Sequence, residues 1–168
     1  MDVAQASLER RSVRAWKNKP IPEKAVGLLK KAVEWAPSAG GLQSRFFYFV
    51  FNKKKIAEIC AVTGRQFPPV MPLLVVACAD LDSIRMKYPG KGEASYVIMD
   101  VSASVENLLL QAHALGLGAV WTGAFDERKA REILSIPPRL KPVVVIPVGY
   151  PAEKPKPHER KKVVEEVR

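Results

Sequence analysis

The sequence is poor in the residue types and patterns that support several common functions. Only two cysteines and two histidines occur among 168 residues, so neither a disulfide framework nor a zinc site is predicted. No apolar run reaches the roughly 18 to 20 residues of a membrane-spanning helix, and the polar N-terminus does not resemble a secretory signal. The expected protein is cytoplasmic, without a metal or a membrane partner, and with Cys60 and Cys78 as buried thiols in apolar runs.

Acidic residues are also scarce relative to basic ones. The chain has 17 Asp and Glu against 27 Lys and Arg, which gives a net charge of +10. Its 48% hydrophobic and 26% charged residues are otherwise close to globular averages, and the length predicts a single domain over residues 1–168. The charge predicts attraction to polyanions or to small phosphorylated ligands, and its distribution has to decide between them.

Hydrophobic periodicity predicts alternating helices and strands. Helices are expected over residues 1–11, 22–35, 53–62, 94–115 and 126–134, and strands over residues 46–51, 73–79, 119–122 and 143–148. The valine-rich run at residues 73–79 is typical of a strand covered on both faces. Residues 80–92 are polar and irregular and are predicted to form a loop. These elements favour a mixed sheet with helices on both faces.

The basic residues are concentrated first in the Arg-rich segment, residues 10–14, which contains Arg10, Arg11, Ser12 and Arg14. Neighbouring guanidinium groups repel one another unless an anion compensates them. Guanidinium and hydroxyl donors together are suited to bind a phosphate. The segment therefore indicates a phosphate site, with a solvated basic surface as the alternative.

Two further stretches are rich in small residues. The small-residue loop, residues 38–44, lacks the lysine of a Walker loop and the order of a dinucleotide motif; it either lets the backbone approach a flat ligand or forms a plain tight connection. Residues 116–125 pass from a helix through a strand into a glycine turn, where the N–H groups of Gly123 or Ala124 are expected to be free for a ligand. Core packing explains Trp121 and Phe125 equally well.

Taken together and in this order, the motifs resemble the compact form of the FMN-dependent nitroreductases. The matching motifs are ERRSVR at residues 9–14, APSAGGLQ at 36–43, NLLL at 107–110, LGLG at 115–118, and GYP at 149–151 followed by Arg160 and Lys161. The resemblance implies an α+β fold, a three-layer α/β/α sandwich whose mixed, mostly antiparallel sheet surrounds a long central helix. It also implies a homodimer with FMN in clefts between the subunits and with residues 150–168 as a C-terminal tail packing on the partner.

The resemblance further implies a set of cofactor-binding residues. Arg10, Arg11 and Ser12 would bind the FMN phosphate and ribityl chain, and Arg14 would lie near the pyrimidine edge. The flavin ring would be lined by Pro37, Ser38, Ala39 and Gly40. The turn at Trp121, Thr122 and Gly123 would bring the backbone of the last two to N5 and O4, while Arg160 and Lys161 complete the phosphate site. The usual Asn, Pro and aromatic residue of the family's loop are replaced by Gly41, Ser44 and Arg45.

The implied activity is hydride transfer from NADH or NADPH through flavin N5 to a nitroaromatic compound or a quinone, by a ping-pong mechanism. No catalytic side chain is expected, because the flavin carries the redox chemistry. A dehalogenase or another specialised flavin chemistry in the same fold remains open. A basic nucleic-acid-binding module without a cofactor is the alternative from another class, although the basic residues are not interleaved with aromatics as on a single-strand platform.

Overall fold

The structure, a computed structural model, describes residues 1–65 and 67–167. Its helices are α1 (Val3–Glu9), α2 (Glu23–Glu34), α3 (Lys53–Ala61), α4 (Leu81–Arg85), α5 (Val97–Ala114) and α6 (Glu127–Leu134). Its strands are β1 (Arg45–Val50), β2 (Leu73–Asp80), β3 (Gly118–Ala119) and β4 (Leu140–Gly149). A short 3-10 turn lies at Ala39–Gly41, and a π-helical segment at Gly92–Tyr96 leads directly into α5.

The strands form one sheet in the order β1-β2-β4-β3, and all neighbouring strands are antiparallel. Residues 73–79 of β2 are completely buried, which confirms the prediction of a strand covered on both faces. Its odd-numbered residues pack with α2 and α5, and its even-numbered residues pack with α3 and α6. The α+β class is confirmed, and helices cover both faces of the antiparallel sheet.

Strand β4 begins earlier than the pattern predicts, at Leu140 rather than at residue 143. The pairing between β2 and β4 shifts register between Ala77 and Cys78, where Cys78 lies opposite Pro142. A bulge at this place accommodates the proline, which has no N–H to donate to a neighbouring strand. Pro142 is therefore compatible with an inner strand here, although the sequence pattern starts the strand only after it.

The prediction of an irregular loop holds for residues 86–90 and is wrong for residues 80–85 and 91–92. The segment contains the short helix α4, whose N-terminus is capped by the side chain of Asp80, an acceptor for the N–H of Ser83 at 3.3 Å. Ile84 of this helix is fully buried in the core next to α5. A buried apolar side chain and an N-terminal cap both stabilise this helix, which is too short to show a periodic pattern.

Both cysteines are buried, as predicted. Burial raises the pKa of the Cys60 thiol to about 11 and that of the Cys78 thiol to about 12. Near neutral pH both are therefore protonated core residues. In the part of the chain that the structure describes, none of the helices is both long and apolar enough to cross a membrane.

The Arg-rich segment is held in place by hydrogen bonds to β3. The N–H of Val13 donates to the carbonyl of Ala119 (3.0 Å), and the indole N–H of Trp16 donates to the carbonyl of Gly118 (2.9 Å). A Cβ on Gly118 would lie 2.7 Å from the Val13 side chain, so only glycine permits this approach. These contacts fix residues 10–14 beside β3, at one edge of the sheet.

Candidate functional site

A cleft of about 550 Å³ opens where the Arg-rich segment meets the end of α5 and the start of the tail. Its volume is in the range typical of cofactor pockets. It is lined by Arg10, Arg11, Leu109, His113, Leu117, Pro151, Glu153 and Lys154, among others. We call it the arginine cleft.

The two arginines of the cleft retain donors that the chain does not use. Arg10 Nε is buried and pairs with the Glu106 carboxylate, whose Oε1 lies 3.2 Å away, and the Nη donors of Arg10 have no acceptor among the described residues. Arg11 Nη1 donates to the carbonyls of Leu8 (2.7 Å) and Arg10 (2.8 Å). Because each guanidinium carries five N–H donors, both can also bind an anion.

The other cationic residues named by the resemblance are more exposed. Arg14 Nη1 donates to the carbonyl of Ser12 at 3.3 Å, and the backbone N–H of Arg14 donates to the Glu153 carboxylate. Arg160 and Lys161 are exposed, and no described contact joins them to Arg10 or Arg11. Within one chain, the start of the tail borders the arginine cleft and its cationic end does not.

The small-residue loop is fixed by a buried carboxylate. Asp100 on α5 is only 3% exposed; it accepts hydrogen bonds from the N–H of Ala39 (2.8 Å) and from the hydroxyl of Ser44 (2.7 Å). Ser38 Oγ accepts from the N–H of Gln43 at 3.0 Å. Gly40 adopts a φ of +57°, which glycine tolerates best. Pro37, Ser38, Ala39 and Gly40 thus form one rigid turn.

Arg45 fixes the chain that enters this turn. Its Nη2 donates to the carbonyls of Ala36 (2.7 Å) and Glu34 (3.1 Å), which the end of α2 leaves without helical partners. Burial lowers the pKa of Arg45, and the nearby Asp100 carboxylate opposes that change. Ser44 and Arg45, where the chain departs from the family pattern, are therefore the residues that clamp the loop.

Sequence reasoning missed the role of Asp100. One signal was present, since Asp100 is an acidic residue within the buried stripe of α5 that includes Val97, Val101 and Ser104. A carboxylate in such a position needs hydrogen-bond donors from a neighbouring element. The sequence alone does not show that these donors lie some 60 residues earlier.

In the turn after β3, one of the two backbone N–H groups named by the resemblance is already paired within the chain. The N–H of Thr122 donates to the carbonyl of Val145 at 3.0 Å, so it is not available to face a flavin. Thr122 Oγ1 is buried and has no hydrogen-bond partner among the described residues. The N–H of Gly123 has no described partner and stays available, and Trp121 is 39% exposed.

The arginine cleft and the small-residue loop lie in different parts of the chain. The loop precedes β1 at one edge of the sheet, and the Arg-rich segment borders β3 at the other. Three strand spacings of about 4.8 Å separate these edges by about 14 Å. The two also contact different faces of α5, because Asp100 and Glu106 project about 120° apart around a helix of 3.6 residues per turn.

The structure thus combines helices on both faces of an antiparallel sheet with a cationic cleft of the size of a cofactor pocket. The sequence profile of the Nitroreductase family matches residues 8–79 and 64–150. The chain belongs to the nitroreductase family, so the family resemblance is confirmed, and with it the expectation of an oxidoreductase.

Relatives extend over most of the chain. A protein of Methanothermobacter thermautotrophicus, provisionally named NADH dehydrogenase/NAD(P)H nitroreductase, is 36% identical over 92% of this chain and 80% of its own length. A protein of Thermus thermophilus named NADH dehydrogenase is 30% identical over 95% of this chain and 92% of its own length. The solved structure of an FMN-dependent nitroreductase from Clostridium difficile is 27% identical in sequence. It covers 93% of this chain and 91% of its own, with a TM-score of 0.80.

Replacing Ser44 by Ala should lower the free energy of unfolding by about 1 to 3 kcal/mol, because one oxygen of the buried Asp100 carboxylate loses its donor. Urea denaturation measures the loss. The control is Ser7→Ala, since Ser7 is an exposed serine of α1 whose hydroxyl donates to Val3 at 2.9 Å, and its removal should change stability by less than about 0.5 kcal/mol. Equal stability of Ser44→Ala and the unaltered protein would contradict the clamp.

Proposed function

We propose that the protein is an FMN-dependent oxidoreductase that uses NADH or NADPH to reduce an electron-poor acceptor, either a nitroaromatic compound or a quinone. The observation that carries the proposal is the arginine cleft, in which Arg10 and Arg11 hold guanidinium N–H donors that no described residue accepts. A phosphate accepts charge-assisted hydrogen bonds from such donors. Family membership and the names of the relatives support the same cofactor and donor.

The residues present fit FMN in two separate places. Arg10, Arg11 and Ser12 would hold the phosphate and the ribityl chain, and Arg160 with Lys161 would complete the phosphate site. The turn at residues 37–40 offers a flat surface of small residues, held by Asp100, against which an isoalloxazine ring can lie. Because these places are at opposite sheet edges, a site that uses both is completed by two chains.

The chemistry that FMN supplies when bound is two-electron transfer, in which NAD(P)H gives up a hydride and leaves as NAD(P)+ before the acceptor is reduced. The protein orients the ring and stabilises charge. The free N–H of Gly123 would donate to the ring edge that carries N5 and O4, which fixes the ring in register. Arg14 would stabilise negative charge near N1 and O2.

The same arrangement supports the proposal of a homodimer. Apolar side chains are exposed on α1 and on the tail, among them Val3, Leu8, Val163, Val164 and Val167. Apolar surface of this kind is typical of regions that a partner covers. A second copy of the chain would cover it while bringing its own turn at residues 37–40 to the arginine cleft.

Arg10→Ala should weaken FMN binding by about 10- to 100-fold, because a charge-assisted hydrogen bond contributes about 1.5 to 3 kcal/mol. Purified protein should be yellow, and fluorescence titration of the apoprotein with FMN measures the dissociation constant. The control is Lys54→Ala, which removes an exposed lysine of α3 on the other face of the sheet and should leave FMN binding unchanged. A colourless protein that does not bind FMN supplied in excess would contradict the proposal. If the same protein also retarded nucleic acid in a gel in a salt-dependent way, the nucleic-acid-binding alternative would be supported.

Arg14→Ala should lower the two-electron reduction potential of the bound flavin by on the order of 10 to 30 mV, since 30 mV corresponds to about 1.4 kcal/mol. The physical reason is the loss of a positive charge beside the charge that reduction creates. Potentiometry of the FMN-loaded protein measures the change. Arg14→Lys keeps the charge and should keep most of the potential, and an unchanged potential in the alanine variant would refute this role.

Removing residues 159–168 should weaken both the dimer and FMN binding, since the deletion takes away Arg160, Lys161 and the exposed valines of the tail. Sedimentation equilibrium measures the mass, and FMN titration measures the affinity. The double variant Arg160→Ala/Lys161→Ala keeps the valines, so it should lose FMN affinity by about threefold or more and keep the dimer. A deleted chain that stays dimeric and binds FMN unchanged would show that the tail has neither role.

A further inference from the structure

The segment between α4 and α5 lies directly against the turn at residues 37–40. Lys87 Nζ is 3.5 Å from the carbonyl oxygen of Gly40. A Cβ on Gly40 would lie 2.7 Å from the Tyr88 hydroxyl and 2.8 Å from Lys87 Nζ. A ligand that reaches the outer surface of the turn must therefore meet this segment, to which the sequence motifs assign no role.

The segment carries two lysines whose charge is not neutralised. Lys87 and Lys91 hold their ammonium groups 5.7 and 5.4 Å from the ring centres of Tyr88 and Tyr96. Neither lysine forms an ion pair with a carboxylate among the described residues. An exposed cation–π contact contributes only about 0.5 to 1 kcal/mol and leaves the charge intact, so both remain able to bind an anion.

The neighbouring arginine behaves differently. Arg85 lies 2.6 Å from the carboxylate of Glu93 and 3.8 Å from that of Asp82. The nearby acidic side chains therefore pair with Arg85, and the positive potential of the segment is concentrated at Lys87 and Lys91.

The lysines project from an ordered base. Tyr88 and Tyr96 pack edge to face, with ring centres 5.4 Å apart, and both contact the core beside α5. Gly92 is packed so closely that a Cβ would lie 2.7 Å from the Tyr88 side chain. It begins the π-helical segment Gly92–Tyr96, and π-helical turns within helices occur frequently at functional sites.

We propose that Lys87 and Lys91 bind the phosphates of the nicotinamide dinucleotide and so form the donor subsite of the enzyme. This inference rests on the proposed function, in which the turn at residues 37–40 lines the flavin. The nicotinamide ring must reach the flavin to transfer a hydride, and its phosphates are one ribose away from that ring. The segment beside the turn presents cations where those phosphates arrive, while the arginine cleft serves the phosphate of FMN.

The test compares donors with and without phosphates on the FMN-loaded protein. Flavin reduction is followed anaerobically by stopped flow with NADH, NADPH and N-benzyl-1,4-dihydronicotinamide, a donor that lacks phosphate. For Lys87→Ala/Lys91→Ala, the concentration of NADH or NADPH at half-maximal rate should rise about 3- to 30-fold, as expected for two exposed ion pairs. The benzyl donor should react as with the unaltered protein, and the limiting reduction rate should stay the same.

A binding measurement without turnover accompanies the kinetics. The non-reducing analogue 1,4,5,6-tetrahydro-NADPH perturbs the flavin spectrum, and its dissociation constant should rise in the alanine variant by the same factor. Lys87→Arg/Lys91→Arg should restore it, because the charge returns. Lys54→Ala/Lys55→Ala, which removes two exposed lysines of α3 and the same net charge, should have no effect.

The outcomes separate failure of the subsite from failure of the function. If the alanine variant binds NADPH as the unaltered protein does, or if the benzyl donor is affected equally, Lys87 and Lys91 do not bind the donor phosphates. The second result would show damage to the turn instead. If the unaltered, flavin-loaded protein is reduced by none of the three donors, the proposed function itself fails.

Discussion

Strand β2 has no side that faces water, and the positions of the functional groups follow from that constraint. Residues 73–79 are buried on both faces, so helices must cover the sheet above and below. With both faces covered, the two groups of residues proposed to meet the ligand lie at the edges of the sheet rather than on its faces. The turn at residues 37–40 lies before β1 at one edge, and the Arg-rich segment lies beside β3 at the other.

The sequence predicts most of the fold because long elements show periodicity. Helix α2 and strand β2 lie within one or two residues of their predicted bounds, and α6 begins at Glu127, one residue after its predicted start. Helix α4 was missed because five residues contain too few turns for a pattern. The start of β4 was missed because the bulge that accommodates Pro142 depends on pairing with a distant strand.

The candidate site is predicted less completely, because sequence motifs name residues and do not show their partners. The Arg-rich segment lines a cleft, as a phosphate site requires, while the N–H of Thr122 pairs with β4. Asp100, Ser44 and Arg45 act through hydrogen bonds to residues 9 to 61 positions away. No local pattern contains that information, and a departure from a family motif gives no hint of what replaces the missing contact.

Ser44 and Arg45 stand where the family pattern has a proline and an aromatic residue, and they hold the small-residue loop by polar contacts. A proline restricts the backbone by its ring, whereas Ser44 restricts it by a bond to a carboxylate that is itself buried. Breaking this bond leaves one oxygen of the buried carboxylate without a donor, which costs more than the loss of an equivalent apolar contact. The turn beside the proposed flavin is therefore fixed because any movement of it would leave the buried Asp100 carboxylate without its hydrogen-bond donors. Small residues can occupy the turn without making it mobile.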